Sequence, residues 1–495
     1  MNKTFKSISL ILIVVLLLSF IGCGDSESSA IVYFELDKKP DTLDAQLASD
    51  DRELMLVRNI YEGLLRYNDK GEIVCGAAES YEKKGLTYTF TIREDAAWST
   101  GDPLTANDFV FAFQRAVSPQ LKAPFIKRLF AIKNAEKIYN GKAKINTLGV
   151  SASGDRTLTI TLEREDENFE KTLTTSICMP CNEAFFNECK GQYGLKSNYI
   201  ISNGSYSLTK WNREDFGIRI YRNKSYNGNF KALNGAVFFS FEEDSTPTDR
   251  LLENKVDIAF IENENIHRFA DDDFNTISYE NICWVMTLSK DYSKLLRKSF
   301  AMLTAPAIYS NKLSAGFRAA DSLFPDALGS LENCTGAGIT KYNLSNGLKL
   351  FSSEISKLDN KKFPATTLTY YDNEAIKPVV TAIVGHWQQN LSAFVNITAY
   401  KNSIDLLPQL KKPTLSMCVF PIKISSNYLS EYLENYGINY KSGDLSKIQK
   451  SLLEDNTIIP IAFENTNIIY NEDLNYVFAE PENGYLDFSF IYKDS

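Results

Sequence analysis

Cys178 and Cys181 form the chain's only CxxC pair, the spacing that can hold half of a zinc site or a redox disulfide. Neither use finds its complement. The two histidines, His267 and His386, stand in no ligand spacing, and the segment around the pair lacks the βαβ pattern of a thiol oxidoreductase. The chain has 8 cysteines; leaving Cys23 aside, the remainder is odd in number and irregularly spaced, so no complete disulfide framework follows. HExxH, GxSxG, the Walker A sequence and a GxGxxG opening a helix are all missing, and two histidines leave general-base catalysis few candidates. The acidic runs Glu163-Arg-Glu-Asp-Glu167 and Asp271-Asp-Asp273 do not follow the EF-hand ligand pattern and read as solvated faces. No catalytic residue, metal site or cofactor is therefore expected, and binding chemistry remains.

The elements that would position a binding site show best over residues 78–119. Leu86, Tyr88, Phe90 and Ile92 alternate with Thr87, Thr89 and Thr91, the pattern of a half-buried antiparallel strand. Ser99-Thr100-Gly101-Asp102-Pro103 turns the chain, and Thr105 with Asp108 makes a capping-box-like start to a helix. That helix buries Phe109, Ala112, Phe113 and Ala116 and stops at Ser118-Pro119, because proline cannot continue it. The same tests predict strands over 31–36, 156–163, 366–371 and 394–400, and helices over 52–65, 293–303 and 374–391. No internal repeat is present.

At 495 residues the chain exceeds one hydrophobic core, so two or three domains are expected. Its 44% hydrophobic and 23% charged residues are ordinary for a globular protein, and 31 Phe with 26 Tyr could fill a core or line an apolar cleft. The net charge of −9 argues against a nucleic-acid partner. Lys3 and Lys6 precede an apolar run over 8–22, too short for a comfortable membrane span and shaped like a secretory signal. Phe20-Ile21-Gly22-Cys23 resembles a bacterial lipobox, which implies a lipidated Cys23 and a flexible tether, GDSESSA, after it.

The residue order over 78–119 resembles the signature of the solute-binding proteins of oligopeptide, dipeptide and nickel ABC importers, "AESW...GLTYTFxLRxDAKWSDGxPxTAxDFVYSxxR". Further matches follow the family's order. Thr42-Leu43-Asp44 resembles its "TLDP", residues 58–79 its "RNLFEGLLRYDxxGxIVPGLAESW", and Asn203-Gly204-Ser205-Tyr206 with Trp211 its "NGPYxLxxW". After Phe260 the resemblance is patchier, with Ile458-Ile459-Pro460-Ile461 similar to the family's "PIIPLY" and Tyr485 to Tyr492 to its closing aromatic strand. It implies an α/β, type II periplasmic-binding-protein fold: two lobes, with lobe I discontinuous and carrying an inserted subdomain. The expected division is a signal peptide (1–22), a lipidated tether (23–30), lobe I (31–52, 170–262 and 457–495), the inserted subdomain (53–169) and lobe II (263–456).

The resemblance also implies a function: a monomeric lipoprotein on the extracytoplasmic side of the cell membrane that captures a peptide or other small solute and delivers it to ABC permease subunits. By the same carry-over, Ser49, Asp50 and Asp51 face the ligand, with Phe111 as a further candidate. In lobe II the counterpart of the family's "ARxGWxADYxDPxxFL" places Met417, Cys418, Val419 and Phe420 at the ligand. Here the pattern fails in one respect. Pro421 stands where the family's aspartate would meet a peptide's amino terminus, and no carboxylate occurs between Pro413 and Ser430. An ammonium buried there would lack a counter-charge, so acetylating a peptide's amino terminus is expected to weaken binding little. A surface interaction or sensory lipoprotein built on the same scaffold is the alternative.

Overall fold

The computed structural model describes residues 31–36, 39–211, 217–228, 236–240, 245–270, 273–324, 339–401, 417–423, 449–450, 453–480 and 484–493. The predicted signal peptide, the tether with Cys23, and Leu415 lie outside the described residues. Strand β1 (Val32–Glu35) is followed by a loop and helix α1 (Asp51–Ile60). Asp50 caps α1, and Glu53 closes a capping box with it. The Glu53 carboxylate also accepts the backbone N–H groups of Asp41, Thr42 and Ser49 at 2.9, 3.0 and 2.9 Å. One buried side chain thus fixes the loop before the helix. α1 is shorter than its periodicity predicts: Tyr61 is already extended, and a side chain at Gly63 would meet the Leu173 carbonyl at 2.9 Å.

After β2 (Leu65–Tyr67) and β3 (Ile73–Cys75) comes a separate antiparallel sheet. β4 (Ala78–Lys84), β5 (Thr87–Ile92), β6 (Val150–Ser153) and β7 (Thr157–Thr161) lie in the order β4-β5-β7-β6. Tyr88, Phe90 and Ile92 are buried, as their alternation predicts. Helix α2 (Ala106–Ala116) starts at the Thr105–Asp108 capping box and buries Phe109, Ala112, Phe113 and Ala116.

β8 (Tyr206–Lys210), β9 (Gly217–Arg222), β10 (Ala236–Ser240), helix α3 (Pro247–Leu252) and β11 (Ile258–Ile261) complete the first lobe around β1. The second lobe contains α4 (Lys294–Met302), α5 (Leu344–Ile355), β14 (Thr366–Tyr371), α6 (Lys377–Leu391), β15 (Val395–Tyr400) and β16 (Met417–Lys423). Pro378 is accommodated in the first turn of α6, where its missing N–H costs no helical bond. Parallel β14 and β15 are joined through α6, a crossover that parallel pairing requires.

Two long strands join the lobes, β12 (Phe274–Leu288) and β17 (Ile458–Asn471), with β13 (Phe317–Ala319) paired to β17. They pair antiparallel from Phe274 opposite Asn471 to Thr287 opposite Ile458. One sheet therefore runs through the molecule as β15-β14-β16-β12-β17-β11-β1-β10-β9-β8. Strands from its two ends contribute to separate cores. One includes Phe34, Leu56, Ile60, Trp98 and Phe109; the other includes Trp284, Phe300, Tyr370, Trp387 and Val419. This is the expected two-lobed α/β architecture of a type II binding-protein fold. The expected strand over 485–492 is instead largely irregular: Leu486 makes an isolated antiparallel bridge to Ala479, and Tyr492–Lys493 pair with Leu474–Asn475. Its polar side chains turn inward: Asp487 and Ser489 each take a 2.8 Å hydrogen bond from Arg66.

Candidate ligand cleft

The crossover strands floor a cleft of about 1300 Å³, open mouth included. Phe260, Tyr279, Ile282 and Thr466 form its base; Leu36, Met55, Pro247 and Tyr485 line the first lobe's wall, and Lys423 reaches in from the second lobe. The mixture of apolar surface with a few charged groups suits a polar ligand with apolar parts.

The charged groups are disposed unevenly. Asp51, in the first turn of α1, receives the Lys423 ammonium at 2.8 Å and the Tyr485 hydroxyl at 2.8 Å. Lys423 also sits 5.2 Å from the centre of the Tyr485 ring. This cluster bridges the lobes. Glu35 pairs with Arg250 at 2.6 Å, and Arg52 with Asp50. Glu262 is exposed at the cleft and has Glu264 beside it; partial burial and that neighbour raise its carboxyl above the usual range. Glu464, two residues before Thr466, accepts the Trp284 indole N–H at 2.6 Å. Burial pushes its carboxyl up, the Trp284 bond opposes this, and the Glu262 charge adds to the rise.

Of the residues expected to meet the ligand, Asp51 lines this cleft. Asp50 is the cap of α1, and the Ser49 N–H is held by Glu53. Phe111 lies on α2 with its ring 5.5 Å from that of Phe186, and it is not among the cleft residues. Met417, Cys418, Val419 and Phe420 are fully buried in β16, which pairs with β12 along one edge and with β14 from Met417 to Val419 along the other. The sequence reading passed over Lys423, the single charged residue between Pro413 and Ser430, because it sought an acid there. Glu262, just past the end of β11, and Glu464, midway along β17, are likewise unmarked in the sequence except as carboxylates beside apolar strand residues.

The other chemically suggestive residues are structural. Cys178 and Cys181 are buried free thiols, each pushed up to about 12 by burial, and so are poor metal ligands or nucleophiles. The His386 ring lies 3.3 Å from the side-chain amide of Asn390, one turn on along α6. The Asp44 of the "TLDP"-like loop is paired with Arg115 of α2, which also bonds Gln46 at 2.7 Å and stacks 4.4 Å above the Phe186 ring. Gly194 admits this loop: with φ at +79°, any side chain there would strike Asp44 at 2.5 Å.

A two-lobed α/β chain with its cleft on the strands that cross between lobes can be compared with known proteins. The family model described as "Bacterial extracellular solute-binding proteins, family 5 Middle" matches residues 72–444. The chain belongs to this family. It is accordingly an extracytoplasmic solute-binding protein and not an enzyme. Among relatives of this family 5 protein, the dipeptide-binding protein DppE of Bacillus subtilis (strain 168) is 24% identical over 504 residues, 94% of this chain and 92% of DppE. The periplasmic murein peptide-binding protein MppA of Escherichia coli (strain K12) is 34% identical over 230 residues, 45% of this chain and 41% of MppA. The fold is shared with the pheromone receptor PrgZ at a TM-score of 0.76 and 21% identity, over 94% of this chain and 99% of PrgZ.

Proposed function

We propose that this family 5 protein captures a peptide in the cleft between its lobes and delivers it to the permease of an ABC importer, held at the membrane by lipid on Cys23. The observation that carries the reading is the position of the cleft on β12 and β17. Strands shared by both lobes act as a hinge, and a ligand contacting both sides stabilises the closed arrangement. Relatives named for dipeptides and murein peptides support a peptide as the solute. Asp51 is the residue of the expected ligand set that this reading retains at the ligand.

The test is mass spectrometry of small molecules released from the purified, denatured protein, followed by calorimetry with defined peptides. Recovery of peptides and saturable binding support the proposal. If no small molecule copurifies and no member of a broad peptide set binds, the proposal fails. For the anchor, Cys23→Ser should move the protein from the detergent phase to the aqueous phase in a cloud-point partition.

A further inference from the structure

The cleft has charges that are matched within the protein and charges that are not. Of its charged lining residues, Glu35, Asp51, Arg52 and Lys423 all have opposite-charge partners. Glu262 has none among the described residues; its neighbours in charge are Glu264 and Glu464. Two carboxylates on one sheet face repel each other and favour a cation between them.

Other polar groups of the floor point the same way. Tyr279 lines the cleft, and its hydroxyl is buried with no hydrogen-bond partner among the described residues. Beside the cleft, Asn281 is 1% exposed; its side-chain carbonyl accepts the Thr466 hydroxyl at 2.6 Å, and its amide nitrogen is unpartnered. Native proteins rarely leave buried polar groups unpaired. The Asn281 amide sits at the register shift between Glu280 and Ile282, an irregularity that re-aims side chains. Glu262 and Tyr279 therefore bring an unmatched carboxylate and an unpaired hydroxyl to one surface.

We propose that Glu262, backed by Glu464, receives an alkylammonium group of the ligand on the cleft floor, either the amino terminus or a basic side chain of a peptide. This rests on the cleft being the ligand site. If the group is the amino terminus, the expectation drawn from the stretch around Pro421 alone, that blocking it makes little difference, gives way; if it is a basic side chain, that expectation stands. The counter-charge is present, but it stands on the crossover strands and not on β16. Lys423 would oppose an ammonium placed beside it, which favours the Glu262 side of the cleft.

The experiment is calorimetry on the purified protein, freed of bound ligand, with three amidated peptides: Ala-Ala-Ala, acetyl-Ala-Ala-Ala and acetyl-Ala-Lys-Ala. The expected result is that at least one of the two cationic peptides binds about tenfold or more tightly than the neutral one, the scale of a charge-assisted hydrogen bond. Preference for the first identifies the amino terminus, and preference for the third a basic side chain. Glu262→Gln, a change at an exposed position that leaves the fold intact, should remove most of that preference while sparing the neutral peptide. Equal binding of all three, or an equal loss for all three in Glu262→Gln, would overturn the subsite while leaving the peptide reading in place. Failure of every peptide to bind the unmodified protein would overturn both.

Discussion

Glu464 carries the cost of the cleft floor at the level of a single side chain. Its carboxyl is held above the usual range by burial and by Glu262, against the Trp284 hydrogen bond. For an acid whose folded value is raised, the stabilising contribution is complete below the unfolded value of about 4.3 and is lost as pH rises through the folded value. Glu464→Gln should therefore raise the melting temperature of the ligand-free protein at pH 7 and leave it almost unchanged at pH 4; thermal melts at both values check this. Asp44 presents the opposite case. Removing its carboxylate strands the Arg115 guanidinium in the interior, so Asp44→Ala should lower stability by about 3–5 kcal/mol, measured by urea unfolding. The two aspects of these residues were unequally legible. The sequence marks Asp44 through the "TLDP" resemblance, but says nothing of Arg115, 71 positions away.

Among elements, those with a complete local pattern were readable. The β5 alternation, the α2 spacing and the proline-tolerant start of α6 are decided within a dozen residues, and the structure agrees with each. β17 was seen over only 458–461. Pro460 and the polar run Glu464, Asn465, Thr466 and Asn467 break its apolar alternation; Thr466 lines the cleft, and Asn467 is buried against Ser278 and Asn263 at the crossing between lobes. Function hid the element. The four residues Met417 to Phe420, assigned to the ligand by resemblance, are buried in β16, which pairs with β12 and β14. Pairing of this kind joins segments separated by many residues and leaves no local mark. For α1, the capping pair Asp50 and Glu53 is local, and its effect is predictable: Asp50→Ala should cost about 1 kcal/mol in denaturant unfolding. A much larger loss would show that the cap also fixes the loop held by Glu53.

For the molecule as a whole, the Asp51–Lys423 pair links the lobes directly across the cleft. Asp51 is half exposed, so the pair contributes no more than about 1 kcal/mol to stability. An energy of that size still shifts an open–closed equilibrium severalfold. Lys423→Met should leave the unfolding transition nearly unchanged, yet increase the radius of gyration of the ligand-free protein in X-ray scattering. The same substitution should abolish the growth in radius that added salt causes in the unmodified protein, because screening acts on the exposed pair.

The placement of β17 has a consequence for how the chain assembles. It lies between β12 and β11, yet it follows every other strand of the large sheet in sequence. Until residue 471 has been synthesised, the sheet exists only as two unjoined halves, each with an exposed edge where β17 belongs. Contacts of such long sequence separation form late. A chain whose central ladder is completed last takes its two-lobed form only once β17 is available to join the halves.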